Sequence, residues 1–287
     1  MYLFFLLLGK ILIQCQNPST VLERALETPI PEIQEILENK QKHEIQILLT
    51  QVERTHSGAI KFQESAFQVD ENQYFYPAST AKLPVAVLAF QKLKTLQAEG
   101  VQINGETPFL IKNKNGETII EKDSTHHEGK VTLHHLIKKI FLVSDNDAYN
   151  YLFDFLGRDY INEELKKRGL SNTQLHHKFL FGADNETTWH YTFLNAEQDT
   201  LYHQPSFRAK LKLEPHSLKG IQKGVGYLSA GALAKEPMDF SEKNRLSIRD
   251  LQGILQRIIF PEHFSKEEQF EISEEDYLFL KACTSST

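Results

Sequence analysis

Tyr76-Pro77-Ala78-Ser79-Thr80-Ala81-Lys82-Leu83-Pro84, with the apolar run Val85-Ala86-Val87-Leu88-Ala89-Phe90 behind it, is the stretch that decides how the chain folds. Ser79 and Lys82 are three positions apart, so on a helix both side chains lie on one face, one turn from each other. Pro77 suits a helix start, where a missing backbone N–H costs nothing. Ser79 then sits at the positive end of the helix dipole, where developing negative charge is stabilised. The helix is expected to run to Gln97 and to end near Gly100. Pro84 removes one backbone bond and predicts an irregularity near Lys82. A serine hydroxyl becomes a useful nucleophile only when a neighbour takes its proton. A lysine can do this when burial or a second cation lowers its pKa.

A pair of residues at this spacing recurs by chance in many chains, and a second motif gives it weight. Ser144-Asp145-Asn146 comes 65 positions after Ser79, behind Lys138-Lys139-Ile140-Phe141-Leu142-Val143 and ahead of an aromatic helical run. On its own, Ser-Asp-Asn reads as an ordinary turn or cap. Together, S-x-x-K and S-D-N resemble the signature of class A β-lactamases and penicillin-binding proteins, in the family's order and near its spacing. The flanks "STAKLPVAVLAF" and "LVSDNDAYNYLFDFLG" also resemble helices of that serine hydrolase superfamily.

The resemblance implies an α/β fold of the α+β sandwich kind, an antiparallel sheet flanked by helices with an all-α subdomain. It implies Ser79 as nucleophile, Lys82 as base or proton shuttle, and Ser144 as the group that passes a proton to the leaving nitrogen. Asn146 resembles the residue that binds the substrate amide and helps hold the lysine. Asp145 is expected to be structural, fixing its loop through buried hydrogen bonds, and the Ser79 backbone N–H to be one oxyanion donor. No metal or cofactor is implied.

Two departures from the pattern matter. The E-x-x-L-N loop, whose glutamate activates the deacylating water in class A enzymes, does not occur in Leu170 to Gln204. Asn162-Glu163-Glu164-Leu165 comes too early and reads as an exposed helix face, while Glu186 and Glu197 are stand-ins without a motif. Acylation is therefore better supported than turnover. The third motif, K-T-G or a relative, belongs on a strand after the helix at 246–259, and none follows it. Lys223-Gly224-Val225-Gly226 precedes that helix and reads as a loop. The expectation is a chain truncated at its C-terminal end, lacking the last strands of the sheet, the second oxyanion donor and the substrate carboxylate clamp, with an open core edge.

Of the 287 residues, 40% are hydrophobic and 24% charged, as in a soluble globular protein with a sizeable core. The net charge of -6 and the lack of a dense Lys/Arg block argue against nucleic acid or an anionic membrane as partner. A small β-lactam or peptidoglycan-derived peptide substrate and a monomeric state are expected. Residues 1–15, MYLFFLLLGKILIQC, are too short and too broken for a membrane span and resemble an export signal without a positive n-region. Leu12-Ile13-Gln14-Cys15 resembles a lipoprotein cleavage box, with Gln14 where a small residue is usual. A periplasmic or lipid-anchored protein is the expectation. With Cys15 lipidated or removed, Cys283 has no disulfide partner.

The organisation reads as a leader at 1–15, a proline-containing lead-in at 16–31 and one catalytic domain over 32–287. Glu32–Lys42 carries Ile33, Ile36 and Leu37 on one helical face. Glu44–Glu53 alternates, and with Ile60 and Phe62 predicts a hairpin across Thr55–Gly58. Phe109–Ile111 and Thr118–Ile120 predict short strands around the turn Asn113–Gly116. Thr132 is expected to cap a helix holding Leu133, Leu136, Ile137 and Ile140. Further helices are expected at Asp147–Leu156, stopped by Gly157, at Asn162–Gly169, and from Leu246 through Ile259. Residues 171–245 show little periodicity and read as extended loops. His126-His127, His134-His135 and His176-His177 lack metal-ligand spacing and read mostly as surface histidines.

Three functions compete on this reading. One is an exported acyl-enzyme acting on a β-lactam or peptide amide. A second is a peptidoglycan D,D-peptidase or esterase on the same scaffold. The third is a penicillin-binding sensor or inert remnant.

Overall fold

In a computed structural model of the chain, residues 19–229 and 231–285 are described. The leader read at residues 1–15, Cys15 included, lies outside them. Cys283 is a free thiol. No described helix is long and apolar enough to cross a membrane. The chain divides into two compact units, one up to Arg54 together with Lys61–Val69, the other Thr55–Ile60 together with Asp70 onward.

In the first unit, α1 (Val21–Leu26) starts at a reciprocal cap: Thr20 Oγ1 accepts from Glu23 N and Glu23 Oε2 accepts from Thr20 N. Then come α2 (Pro31–Glu38), with proline at its first position, and the two-stranded sheet of β1 (Ile47–Arg54) and β2 (Ile60–Phe67). The alternating apolar residues at 45–49 and 60–62 predicted this pairing.

The second unit is organised by α3 (Lys82–Ala98), whose residues Val85–Phe90 are all fully buried. Six apolar side chains in a row leave no face for water, so the helix must be surrounded. The helix expected from Ser79 differs at its start: Ala78–Ala81 form a 3₁₀ turn and α geometry begins at Lys82. Ala78 is held at φ +45°, a left-handed conformation that a residue with a Cβ adopts at some cost.

Two strands, β3 (Phe109–Lys112) and β4 (Thr118–Ile120), lie where the sequence placed them. After them α4 (Leu133–Val143) begins at Thr132, whose Oγ1 accepts from His135 N at 3.1 Å. Next are α5 (Asn146–Leu156) and α6 (Arg158–Lys167), hinged at Gly157 with φ +79°. α3 packs against α4, α5 and α6. Glu164 on α6 is not the exposed residue expected: it accepts from Gln91 Nε2 at 2.7 Å and pairs with Arg168 at 2.8 Å.

Residues 171–245 are not simply loops. They contain β5 (Thr173–Gln174), β6 (His190–Leu194), β7 (Thr200–Gln204), β8 (Gln222–Lys223), β9 (Tyr227–Ser229), β10 (Ala232–Ala234), β11 (Met238–Asp239) and β12 (Arg245–Leu246). β6 and β7 complete a four-stranded antiparallel sheet in the order β4-β3-β6-β7. Phe109 pairs with Phe193 and Ile111 with Tyr191, which puts four buried side chains on one face of that sheet. Phe155 of α5 packs on them, 5.4 Å from the Tyr191 ring and 5.8 Å from the Phe193 ring. The other strands of 171–245, two or three residues each, pair in three separate two-stranded sheets and are too short to show a period of their own.

α7 (Ile248–Ile259) and α8 (Glu274–Ser285) close the described chain. α8 covers a histidine that the sequence placed on the surface. The His134 ring stacks on Phe279 with centroids 4.4 Å apart. Its Nδ1 lies 2.9 Å from Glu106 Oε1, and its Nε2 3.8 Å from Asp276 Oδ1. Burial disfavours the imidazolium, but Asp276 and Glu106 outweigh it and raise the His134 pKa. A raised folded-state pKa contributes stability that is complete below the unfolded value near 6.5 and is lost as pH rises through the folded value. As pH rises above about 6.5, the melting temperature of the protein is therefore expected to fall more steeply than that of His134→Gln. Parallel pH profiles for the two proteins would refute the assignment.

Candidate active site

Two helix ends bring the motifs together. Ser79 lies in the 3₁₀ turn, exposed, and Lys82 starts α3 with only 2% of its surface accessible. Ser144 closes α4 in the left-handed conformation, φ +53°, which reverses the chain within one residue. Asp145 caps α5, its Oδ1 accepting from Ala148 N at 2.7 Å, and Asn146 is the first residue of that helix. Asp145 is half-buried, and its other oxygen lies 3.3 Å from Lys139 Nζ.

Lys82 Nζ is the hub. It lies 2.5 Å from Ser144 O, 2.8 Å from Asn146 Oδ1, 3.0 Å from Ser144 Oγ and 3.3 Å from Ser79 Oγ. The Ser144 and Ser79 hydroxyls are 2.9 Å apart. Ser79, Lys82, Ser144 and Asn146, chosen from two motifs, form one connected cluster. Burial lowers the Lys82 pKa, and the Asp145 carboxylate opposes that shift. A neutral amine has two N–H groups and one lone pair. The carbonyl of Ser144 and the amide oxygen of Asn146 engage the two N–H groups, which leaves the lone pair for a hydroxyl.

Sequence reasoning missed the residue that covers this cluster. The Phe179 ring centroid is 5.4 Å from Lys82 Nζ. Its backbone N–H donates to Asn150 Oδ1 at 2.7 Å. Asn150 lies four residues after Asn146, on the same face of α5, and that spacing was the available clue. The Phe179 segment is cinched by one carboxylate: Asp154 Oδ2 pairs with Lys178 Nζ at 2.7 Å, and Asp154 Oδ1 accepts from Trp189 N at 2.6 Å. Both ends of the 178–189 loop are thus tied to α5, and the pair is 1% and 2% accessible.

The stand-in glutamates are elsewhere. Glu186 is held between Arg208 at 2.7 Å and Arg158 at 3.5 Å, and Glu197 is exposed in the turn between β6 and β7. Among the described residues no carboxylate is hydrogen-bonded to Ser79 or Lys82. Nor do the described residues hold a group of three or more His, Cys, Asp or Glu side chains arranged for a metal ion. The histidines are mostly not on the surface: His134 and His135 are largely covered and His176 and His177 half-buried, with His127 exposed.

Beside the cluster opens a cavity of about 910 Å³, walled by Tyr76, Arg158, His177, Phe179, Lys212 and Lys243 among others. Its frame is pinned by Asn244, fully buried, whose Oδ1 accepts from His176 N and His177 N and whose backbone oxygen accepts from Tyr74 OH at 2.7 Å.

Compared with known families, residues 29–274 match the β-lactamase enzyme family. The chain belongs to that family. Among solved structures, a β-lactamase from Sphaerobacter thermophilus is 15% identical, aligned over 84% of this chain and 64% of its own, with a TM-score of 0.39. A β-lactamase from Xanthomonas campestris pv. campestris is 21% identical over 51% of each chain, with a TM-score of 0.32. The chain thus spans about half to two thirds of the length of these structures. No curated protein in the comparison matches it. Membership of the β-lactamase family agrees with the mixed α/β architecture of helices and antiparallel sheets described above.

Proposed function

We propose that this chain is a class A-like serine acyl-enzyme, in which Ser79 is acylated by a β-lactam or a related amide and released slowly. The observation that carries this reading is the Lys82 amine, buried and within hydrogen-bond reach of two exposed serine hydroxyls. Ser79 Oγ attacks the amide carbonyl and forms the C–O bond as its proton passes to Lys82 Nζ. The positive end of the turn, with the Ser79 backbone N–H, faces the developing oxyanion. When the C–N bond breaks, Lys82 returns the proton through Ser144 Oγ to the leaving nitrogen, and the ester on Ser79 remains. Asn146 holds the lysine and offers its amide group to the substrate.

Slow release is favoured by what surrounds the cluster. Hydrolysis of the ester needs a base beside a water molecule. The side chain over Lys82 is the Phe179 ring, and Glu186 is neutralised by two arginines. A penicillin-binding protein or a slow D,D-peptidase therefore fits better than a fast hydrolase.

Incubation with a fluorescent penicillin followed by peptide mass mapping tests the proposal. A stable penicilloyl adduct on the peptide holding Ser79, with chromogenic cephalosporin turnover below about one per second, is the expected result, a value at the low end for enzymes. No adduct at any concentration, or an adduct on another residue, would sink the reading.

A further inference from the structure

The cavity beside the cluster contains none of Ser79, Lys82 and Ser144, yet it begins where they end. Tyr76 stands three residues before Ser79, and the Phe179 ring that faces Lys82 forms part of the same wall. Its volume, about 910 Å³, suits an organic arm of a ligand and far exceeds a single ion. Its charges can be sorted by partner. Lys178 is tied to Asp154 at 2.7 Å, Lys212 to Glu214 at 3.2 Å, and Arg158 to the Leu211 carbonyl at 2.9 Å and to Glu186. The acids are equally engaged: Glu186 by two arginines, and Asp184 by the backbone N–H groups of Glu186 and Thr187, both at 2.9 Å. Glu242 is exposed at the outer rim.

Lys243 is the exception. It is half-buried in the wall, and among the described residues its ammonium has neither a hydrogen bond nor an ion pair. Its backbone is fixed, since Lys243 O accepts from His216 Nε2 at 2.8 Å and Lys243 N donates to Phe240 O at 3.0 Å. The neighbouring imidazoles are neutral and leave Lys243 as the uncompensated charge of this wall. Burial keeps His177 neutral, assisted by the Lys243 charge, and burial with His216 and Arg158 holds His176 at about 3. A partly desolvated cation without a counter-ion attracts an anion more strongly than a fully hydrated one does.

We propose that this cavity is a second subsite of the enzyme, taking an arm of the substrate that bears a carboxylate remote from the scissile amide, and that Lys243 receives that carboxylate. The rings of Tyr76, His177 and Phe179 would pack the body of the arm. The inference rests on the acyl-enzyme reading for the position of the scissile bond, and it names a specificity that reading does not contain.

The test separates the two. Carbenicillin and benzylpenicillin differ only by a carboxylate on the acyl side chain. Their dissociation constants are measured by titration calorimetry on full-length Ser79→Ala protein, which has no nucleophile at that position, so binding is read without chemistry. Carbenicillin is expected to bind about 10- to 100-fold tighter, the range of one charge-assisted hydrogen bond. The preference should shrink as salt is raised. Lys243→Gln in the same background should abolish the preference and Lys243→Arg should keep most of it, with melting curves verifying the fold of both. Equal affinities, a preference that survives Lys243→Gln, or no binding of either compound overturns the subsite. Labelling of the unmutated protein by fluorescent penicillin is scored separately, so a failed subsite and a failed acyl-enzyme give different results.

Discussion

Covalent modification by a β-lactam is expected to disappear in Ser79→Ala, a loss of more than about 10³-fold, because Ser144, the other exposed hydroxyl on Lys82, serves as the proton relay and not as the nucleophile in the proposed mechanism. Lys82→Met should keep the nucleophile and the buried stem but remove the base, and slow acylation by about 10² to 10⁴-fold. The two variants differ in a way that pH exposes. Burial lowers the Lys82 pKa, so the neutral amine is populated at lower pH than in free lysine. The rate of penicillin labelling should therefore climb with pH and level off below the free-lysine value near 10.4. In Lys82→Met this rise should be absent. Labelling of Ser79→Ala at the normal rate would refute the assignment, and an unchanged pH profile in Lys82→Met would move the base elsewhere.

The largest stability effect is expected from Asp154→Ala. Asp154 and Lys178 are almost inaccessible, and removing the acid leaves an ammonium buried beside the Trp189 ring, 4.6 Å from its centroid. Breaking a buried pair in this way costs about 3–5 kcal/mol. For a chain of this size that is a drop of roughly 6–20 °C in melting temperature. The same substitution unties both ends of the 178–189 loop, so Phe179 should lose its fixed place over Lys82. Limited proteolysis is expected to cut first within 180–186, where Phe181 is fully exposed. The double variant Asp154→Leu with Lys178→Met should recover much of the loss, since two apolar groups of similar volume leave no charge unpaired. No recovery would mean that the loop is held by something other than the pair.

Much of the site could be read before the structure because it depends on local geometry. A three-residue spacing and a helix junction specify where Ser79, Lys82, Ser144 and Asn146 point, and their flanking apolar runs specify the helices. The hairpin at 109–120 announced itself through its Asn-Gly turn. What stayed hidden depends on contacts between distant segments. Asp154 and Lys178 each look like surface residues until 24 positions of chain fold back. Tyr191 and Phe193 become a strand because Phe109, Ile111 and Phe155 await them. Phe179 acquires a role only from its proximity to Lys82, and Lys243 from lacking a partner that its neighbours have. Glu164, read as solvated, is drawn inward by Arg168 and Gln91.

The tight turn at 78–81 has a consequence for rotational phase. Three residues of α-helix advance by about 300°, so positions 79 and 82 would be splayed by about 60° around the axis. Three residues of 3₁₀ winding advance by about 360° and bring the two positions into eclipse. At a backbone radius of about 2.3 Å, a 60° error displaces Ser79 by roughly 2 Å, enough to lose both of its hydroxyl contacts. Register in the sequence therefore supplies the right residues, and the pitch of four residues sets them in line.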